Sequence, residues 1–276
     1  MTVLEVLKLA ADHFQKHGSD SARLDAEVLL AHTLGLRRLD LYLKFDRPLS
    51  GTELNAFRVL TAKRAKGEPV AYLVGHKEFM GLDFVVTPAV LIPNPDTEVL
   101  VQRAVELARE AGRPLRVADV GTGSGCIAIA IAHYAPNVDV VASDIAQDAL
   151  DVAAQNVATH GLGDRVKLSC GDLMAPLSGS FDIVCANLPY VAAGTQLAPD
   201  VVAQPAGALY ADEQGSALVT RLLDEAPQRL NAGGRILAEL DPSIGAMAVA
   251  AANRHYAGHR IHRDLGGHER VLEAWS

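Results

Sequence analysis

Val117-Ala118-Asp119-Val120, then Gly121-Thr122-Gly123-Ser124-Gly125, then an apolar stretch beginning at Cys126, is the passage that decides the fold. The first four residues read as a buried parallel strand, and the stretch after the glycines reads as a helix. Glycines at the junction let the backbone turn tightly and let a ligand approach with no Cβ in its way. Spacing narrows the ligand. A dinucleotide fingerprint needs G-x-G-x-x-G, and its last position here is Cys126. A P-loop needs Lys followed by Ser or Thr after the last glycine, and no such pair follows. Pyrophosphate is therefore disfavoured, and a nucleoside without phosphates fits better.

Outward from this point, helix and strand alternate. A helix over 96–111 precedes the strand at 115–120, and a helix over 126–134 precedes a strand at 139–143. A helix over 146–160, strands at 165–169 and 181–186, a helix near 214–230, a strand at 235–240 and a helix over 242–256 follow. Such alternation implies a doubly wound, Rossmann-like α/β sheet. The last two strand-like segments, 259–264 and 269–274, are separated only by a short gap around Gly266-Gly267-His268. That gap cannot hold a crossover helix, so the final pair is expected to be an antiparallel hairpin.

Successive strands deliver polar residues to one sheet edge, where ligands of open α/β sheets sit. Asp144 is placed to accept both ribose hydroxyls, although an N-cap role for the next helix is an equal reading of that residue alone. At Gly171-Asp172-Leu173, Asp172 is placed to meet an adenine amino group and Leu173 to cover the ring. Together with Gly121, Thr122, Gly123, Ser124 and Gly125, this is the pattern expected for S-adenosylmethionine. The run Phe181–Ala186 ends at Asn187-Leu188-Pro189-Tyr190. Asn187 offers one acceptor and two donors, and the next backbone carbonyl adds an acceptor. Two close acceptors can grip an NH2 group beside an aromatic ring. An ordinary Asn-x-Pro turn is the alternative.

Before residue 96 the pattern differs. Residues 2–66 show helical periodicity, with Val3, Leu4, Leu7, Ala11 and Phe14 on one face. Ser21 is expected to cap a second helix burying Leu24, Val28, Leu29 and Leu34 and ended by Gly35. A third helix is expected from Ser50 or Thr52 to Lys66; Lys63, Arg64 and Lys66 read as a solvated helix end or a docking patch. Phe79 to Val86 reads as a short hairpin, followed by a proline-punctuated connector. Expected domains are 1–75 (helical), 76–95 (connector) and 96–276 (α/β).

Composition limits the function classes. The chain has 276 residues, 49% hydrophobic and 21% charged, which suits one large and one small packed domain and not disorder. A net charge of -8 disfavours a general nucleic-acid binder. Cys126, Cys170 and Cys185 show no metal or redox spacing and read as small buried hydrophobes in a reducing cytoplasm. Residues 1–14 carry too many charges for a signal peptide or membrane span.

The chain resembles the bacterial protein-(glutamine-N5) methyltransferases of the PrmC/HemK type along most of its length. The carriers are the segment Ala22 to His32, Gly67-Glu68-Pro69-Val70-Ala71-Tyr72-Leu73-Val74-Gly75, and Leu91-Ile92-Pro93-Asn94-Pro95-Asp96-Thr97-Glu98. The glycine loop and Asp264 to Val271 add to them. The resemblance implies a class I S-adenosylmethionine-dependent methyltransferase fold with a helical substrate-recognition domain. It implies methylation of the Gly-Gly-Gln glutamine of class I peptide-chain release factors, in translation termination, with Asn187, Leu188, Pro189 and Tyr190 catalytic. It depicts a cytoplasmic enzyme, expected as a monomer without membrane or direct nucleic-acid contact. Three positions depart from the family pattern: Leu188 stands for a proline, Asn94 for an arginine, and Gln204 for a glutamate. If the latter two groups pair in the family, their joint loss is a matched neutralisation. Rival readings are a methyltransferase acting on adenine N6 or guanine N2 of nucleic acid, and a non-catalytic cofactor-binding docking protein.

Overall fold

The computed structural model describes residues 1–212 and 214–276. Two compact units are present: Met1–His76 with Leu197–Ala203, and Lys77–Gln196 with Gln204–Ser276.

The smaller unit is helical. It holds α1 (Val3–Lys16), α2 (Ala22–Leu34), α3 (Arg38–Leu43), α4 (Gly51–Arg64) and α5 (Val70–Val74). Capping boxes start α1 at Thr2 with Glu5, and α4 at Ser50 with Glu53, satisfying orphan N–H groups at both ends of the box. The buried stripe of α1 is Val3, Val6, Ala10 and Phe14, one row over from the expected face; Leu4 is exposed. In α2, Leu29 is buried as expected and Leu30 beside it is buried too, whereas Val28 and Leu34 are half-buried and Leu24 is exposed, because its part of the face is taken by Asp25 and Glu27. Both carboxylates are paired: Asp25 accepts from Arg64 at 2.8 Å, and Glu27 from Arg23 at 3.0 Å and from Tyr42. Arg64 is thus neither a solvated helix end nor a docking residue but half of a buried ion pair. Ser21 does occupy the N-cap position, but its backbone is not extended, and its hydroxyl donates to Asp25 instead of capping. Gly35 ends α2 in the left-handed conformation.

The larger unit opens with the hairpin β1 (His76–Phe79) and β2 (Leu82–Val85). Its turn residues Met80 and Gly81 both have positive φ, which matches the strand twist of a two-residue hairpin. A 3-10 turn, Pro95–Thr97, leads into α6 (Glu98–Ala111), β3 (Leu115–Val120), α7 (Cys126–Tyr134) and β4 (Val138–Asp144). Next come α8 (Gln147–Thr159), β5 (Val166–Cys170) and β6 (Phe181–Ala186). In chain order α9 (Pro199–Val202), which belongs to the smaller unit, and α10 (Ala206–Leu209) precede α11 (Ala217–Glu225), β7 (Leu230–Glu239), α12 (Gly245–His255), β8 (Gly258–Arg263) and β9 (Glu269–Trp275). The helix expected near 214–230 is therefore shorter, ending in a 3-10 turn at Ala226–Arg229 that Pro227 starts.

The seven-stranded sheet runs β5-β4-β3-β6-β7-β9-β8, parallel as far as β7 and antiparallel for the last two. This is the Rossmann-like sheet with a terminal antiparallel hairpin. One apolar cluster, including Val101, Val105 and Ile129, packs one face, and another, including Leu222, Leu223 and Ala252, packs the other. Cys126 and Cys185 are buried, which pushes the Cys126 thiol up to about 12; Cys170 is exposed, because β5 is the sheet's edge strand. Among the described residues, no helix is long and apolar enough to cross a membrane.

Candidate active site

The chain leaves β3, winds β4 and β5 to one side, and returns to place β6 on the other side of β3. That reversal opens a crevice at the carboxyl edge between β3 and β6. Register aligns its residues. Val120 pairs with Ala186 and Ser143, so Gly121, Asp144 and Asn187 leave three adjacent strands at one level. Ala186 also pairs with Ala238, which brings Glu239 level with Asn187 on β7.

A cavity of about 370 Å³ lies there within the larger unit. Gly121, Thr122, Gly123 and Ser124 line it, as do Asp144, Asp172 and Leu173, and Asn187, Leu188 and Pro189. Two predicted residues stand apart from the lining. Gly125, at φ +81, lies against Ile129 and Ala153, so it serves close helix packing and not the cavity. Tyr190 packs on the second apolar cluster, and burial together with the nearby Glu239 and Asp241 carboxylates raises its phenol above the usual range.

The glycine loop is held from below. The Asp119 carboxylate, fully buried, accepts from the Thr122 hydroxyl at 2.6 Å and the Ala128 N–H at 3.2 Å. Burial pushes its carboxyl up to about 7 against these two hydrogen bonds. Asn156, fully buried in α8, donates to the Ser124 carbonyl at 2.9 Å and bonds both backbone groups of Val85. It thereby ties the loop to the β1–β2 hairpin. Gly121 has φ +75, and a Cβ there would lie 2.8 Å from Leu188 Cδ2. Gly123, at φ +55, faces open space and leaves its backbone approachable.

Asp144 accepts from Gly123 N–H and from Ala146 N–H, at 2.8 and 2.9 Å, and its helix is capped at Ala146 without a side-chain bond. Asp172 pairs with Arg221. Leu173 sits at φ 42, which is uncommon for leucine, and its carbonyl accepts from the Ser143 hydroxyl at 2.7 Å. Asn94 and Gln204 accept from Asp96 N–H and Ile92 N–H respectively, so each bonds backbone of the same connector segment.

Two residues at the site escaped the sequence reading. The Asn187 Nδ2 donates to Thr97 Oγ1 at 3.1 Å, and Thr97 in turn hydrogen-bonds the Glu239 carboxylate. Thr97 is in a segment noted only for its resemblance. Glu239 carried one legible signal, an acid closing an apolar strand run next to the predicted sheet edge.

Among the described residues, the only charged lining side chains are the carboxylates Asp144 and Asp172. Such a donor set suits a ligand that brings positive charge and hydroxyls, and repels phosphate. A Rossmann-like sheet with a glycine loop, strand-end carboxylates and an Asn-x-Pro-Tyr turn defines an S-adenosylmethionine-dependent methyltransferase. The sequence matches the model of the PrmC N-terminal domain over residues 5–75 and that of the methyltransferase small domain over residues 95–249. The release factor glutamine methyltransferase of Rhodopirellula baltica is 42% identical over 98% of this chain and 95% of its own length. That of Salmonella typhimurium is 40% identical over 93% of each. The chain belongs to the release factor glutamine methyltransferase family. Among solved structures, the hMettl16 catalytic domain in complex with an RNA hairpin aligns with a TM-score of 0.58 at 18% identity, over 79% of this chain and 81% of that one. The Thermus thermophilus 16S rRNA N2 G1207 methyltransferase aligns with a TM-score of 0.56 at 16% identity, over 73% and 49%. These two likenesses concern the fold alone.

Proposed function

We propose that this chain transfers a methyl group to the side-chain amide nitrogen of the Gly-Gly-Gln glutamine in class I release factors, with Asn187 and Leu188 presenting that nitrogen. When bound, S-adenosylmethionine supplies an electrophilic methyl group on a sulfonium sulfur. Gly121, Thr122, Gly123, Ser124, Asp144, Asp172 and Leu173 hold it, Gly125 shapes the loop, and Asn187 borders both ligands. An amide nitrogen is a poor nucleophile because its lone pair is delocalised into the carbonyl. Asn187 Oδ1 and the Leu188 carbonyl accept hydrogen bonds from its two N–H groups and orient it, Pro189 stiffens the turn, and Tyr190 supports the turn from behind. Positioning of this kind is worth on the order of 7–11 kcal/mol at best. Among the described residues no strong base lines the cavity, and the surplus proton leaves to solvent after transfer.

One observation carries the reading: the Asn187 NH2 group is already committed to Thr97, which leaves Oδ1 as the end available to a substrate amide. A Leu188 carbonyl needs no proline at that position to accept a hydrogen bond. Residues 1–75 act as the substrate-recognition domain, 76–95 as connector and 96–276 as the catalytic domain. The chain acts as a cytoplasmic monomer, and its action on protein and not on nucleic acid is supported by the net charge of -8 and the lack of Lys or Arg in the described lining.

The test is methyl transfer from labelled cofactor to purified release factor, read by mass spectrometry at the Gly-Gly-Gln glutamine. Asn187→Ala abolishes turnover while cofactor binding persists. Label entering nucleic acid and not release factor overturns the substrate; loss of cofactor binding recasts Asn187 as mainly a cofactor contact.

A further inference from the structure

We infer that Thr97 and Glu239 are positioning residues that decide which way round the Asn187 carboxamide stands; this rests on the proposed role of Asn187. A carboxamide has nearly the same shape with its oxygen and nitrogen exchanged, so its orientation is set by its hydrogen-bond partners. Asn187 faces the Thr97 hydroxyl at 3.1 Å. A hydroxyl has one proton to give, and Thr97 is bonded on its other side to the Glu239 carboxylate. An ionised carboxylate only accepts. The direction therefore runs one way: Asn187 NH2 donates to Thr97, Thr97 donates to Glu239, and Asn187 Oδ1 is turned towards the cavity.

Glu239 is built for this task and has little else to do. It is 2% exposed, and its Oε2 has no hydrogen-bond partner among the described residues. It does not line the cavity and acts only through Thr97. It stands level with Asn187 because β6 and β7 are in register at Ala186 and Ala238. The groups facing it are Thr97 and Asp96 from the 3-10 turn, Arg270 from β9, Tyr190 from the loop after β6 and Cys126 from α7. Arg270, the one cation among them, bonds Asp264 at 2.8 Å and Asp96 at 2.9 Å. Burial foremost, and the Asp96 charge, push the Glu239 carboxyl up to about 7, with Thr97 and Arg270 pulling the other way.

Protonation or amidation reverses the relay. A neutral Glu239, or a glutamine in its place, can donate to Thr97. The hydroxyl proton then points at Asn187, whose favoured orientation presents Oδ1 to Thr97 and NH2 to the substrate. Donor meets donor, and the amide nitrogen is no longer gripped.

The test compares wild type, Glu239→Gln, Thr97→Val and Thr97→Ser as full-length enzyme acting on purified release factor from about pH 6 to 9. Expected is a kcat for Glu239→Gln and Thr97→Val lowered about tenfold or more, with cofactor Kd, measured calorimetrically, within about twofold of wild type. Thr97→Ser restores most of kcat. Wild-type kcat falls tenfold per pH unit on the acid side of the Glu239 midpoint, and the Glu239→Gln profile is flat there. Retained cofactor binding shows that each variant is folded, and the Val/Ser pair carries the test if Glu239→Gln does not fold. Wild-type kcat in Glu239→Gln, or equal loss in Thr97→Val and Thr97→Ser, overturns the inference alone. A wild-type enzyme inactive on release factor overturns the function proposed above instead.

Discussion

Replacing Gly121 by alanine tests the link between the cofactor loop and the substrate turn. Two costs add. Gly121 sits at φ +75, where an L-residue pays about 1–2 kcal/mol for the approach of its Cβ to the carbonyl oxygen. The new methyl also falls 2.8 Å from Leu188 Cδ2. That atom ends a flexible side chain, but Leu188 is 4% exposed within a packed cluster, so displacing it costs about 1–3 kcal/mol. The sum is roughly 2–5 kcal/mol, and it separates in a double-mutant cycle. With Leu188→Ala as background the steric part vanishes and the backbone part remains, which predicts a coupling of about 1–3 kcal/mol. Urea unfolding followed by tryptophan fluorescence is a suitable assay, because the single tryptophan, Trp275, lies in β9 of the larger unit's sheet and reports on that unit. Equal destabilisation by Gly121→Ala in both backgrounds would refute the argument that Leu188 is why a glycine is needed there.

Three further outcomes are expected. Asp119 holds its proton more tightly folded, with its carboxyl at about 7 and an ordinary value of 3.8, so stability falls as pH rises between those values. Asp119→Asn removes that slope and raises the melting temperature at about pH 8 but not at about pH 4.5; an unchanged difference between the two pH values would sink this. Glu273 behaves oppositely: although burial alone would raise it, His262, Arg103 and Arg235 hold its carboxyl down at about 2, so its stabilisation is present above the usual 4.5 and is lost as pH falls towards 2. Glu273→Gln costs somewhat less than the roughly 3–5 kcal/mol of a fully buried pair, since Arg235 is partly exposed; an effect under about 0.5 kcal/mol in urea unfolding would contradict it. Asp144→Asn weakens cofactor binding about tenfold or more in calorimetry through loss of a charge-assisted acceptor, while a change under twofold would show that Asp144 serves only Gly123 and Ala146.

Much of the fold was legible because a parallel sheet buries both faces of its strands. Leu115–Val120, Phe181–Ala186 and the helix Cys126–Tyr134 stand in the structure where the apolar runs predict them. Helices α3 and α5, of 6 and 5 residues, were not legible, because they are too short to show a helical period. The exact buried row of α1 was lost for a related reason: Val3, Val6 and Ala10 lie beside Leu4, Leu7 and Ala11, and only packing chooses between adjacent apolar rows. Arg64 looked solvated because its partner Asp25 is 39 residues away in the chain.

By itself the sequence determined the local backbone and the topology: the glycine junction after β3, the alternation that makes the sheet parallel, the short gap that makes its last hairpin antiparallel, and the turn carrying Asn187. These follow from φ preferences, burial periodicity and loop length, all of which act between near neighbours. Only the tertiary structure decided how that turn is wired. Asn187 meets Thr97 across 90 residues, and Glu239 reaches them through strand register, not through proximity in the chain. Whether a glutamate is a solvated strand end or a buried charge that orients a neighbour depends on what surrounds it, and desolvation is a property of the packed state.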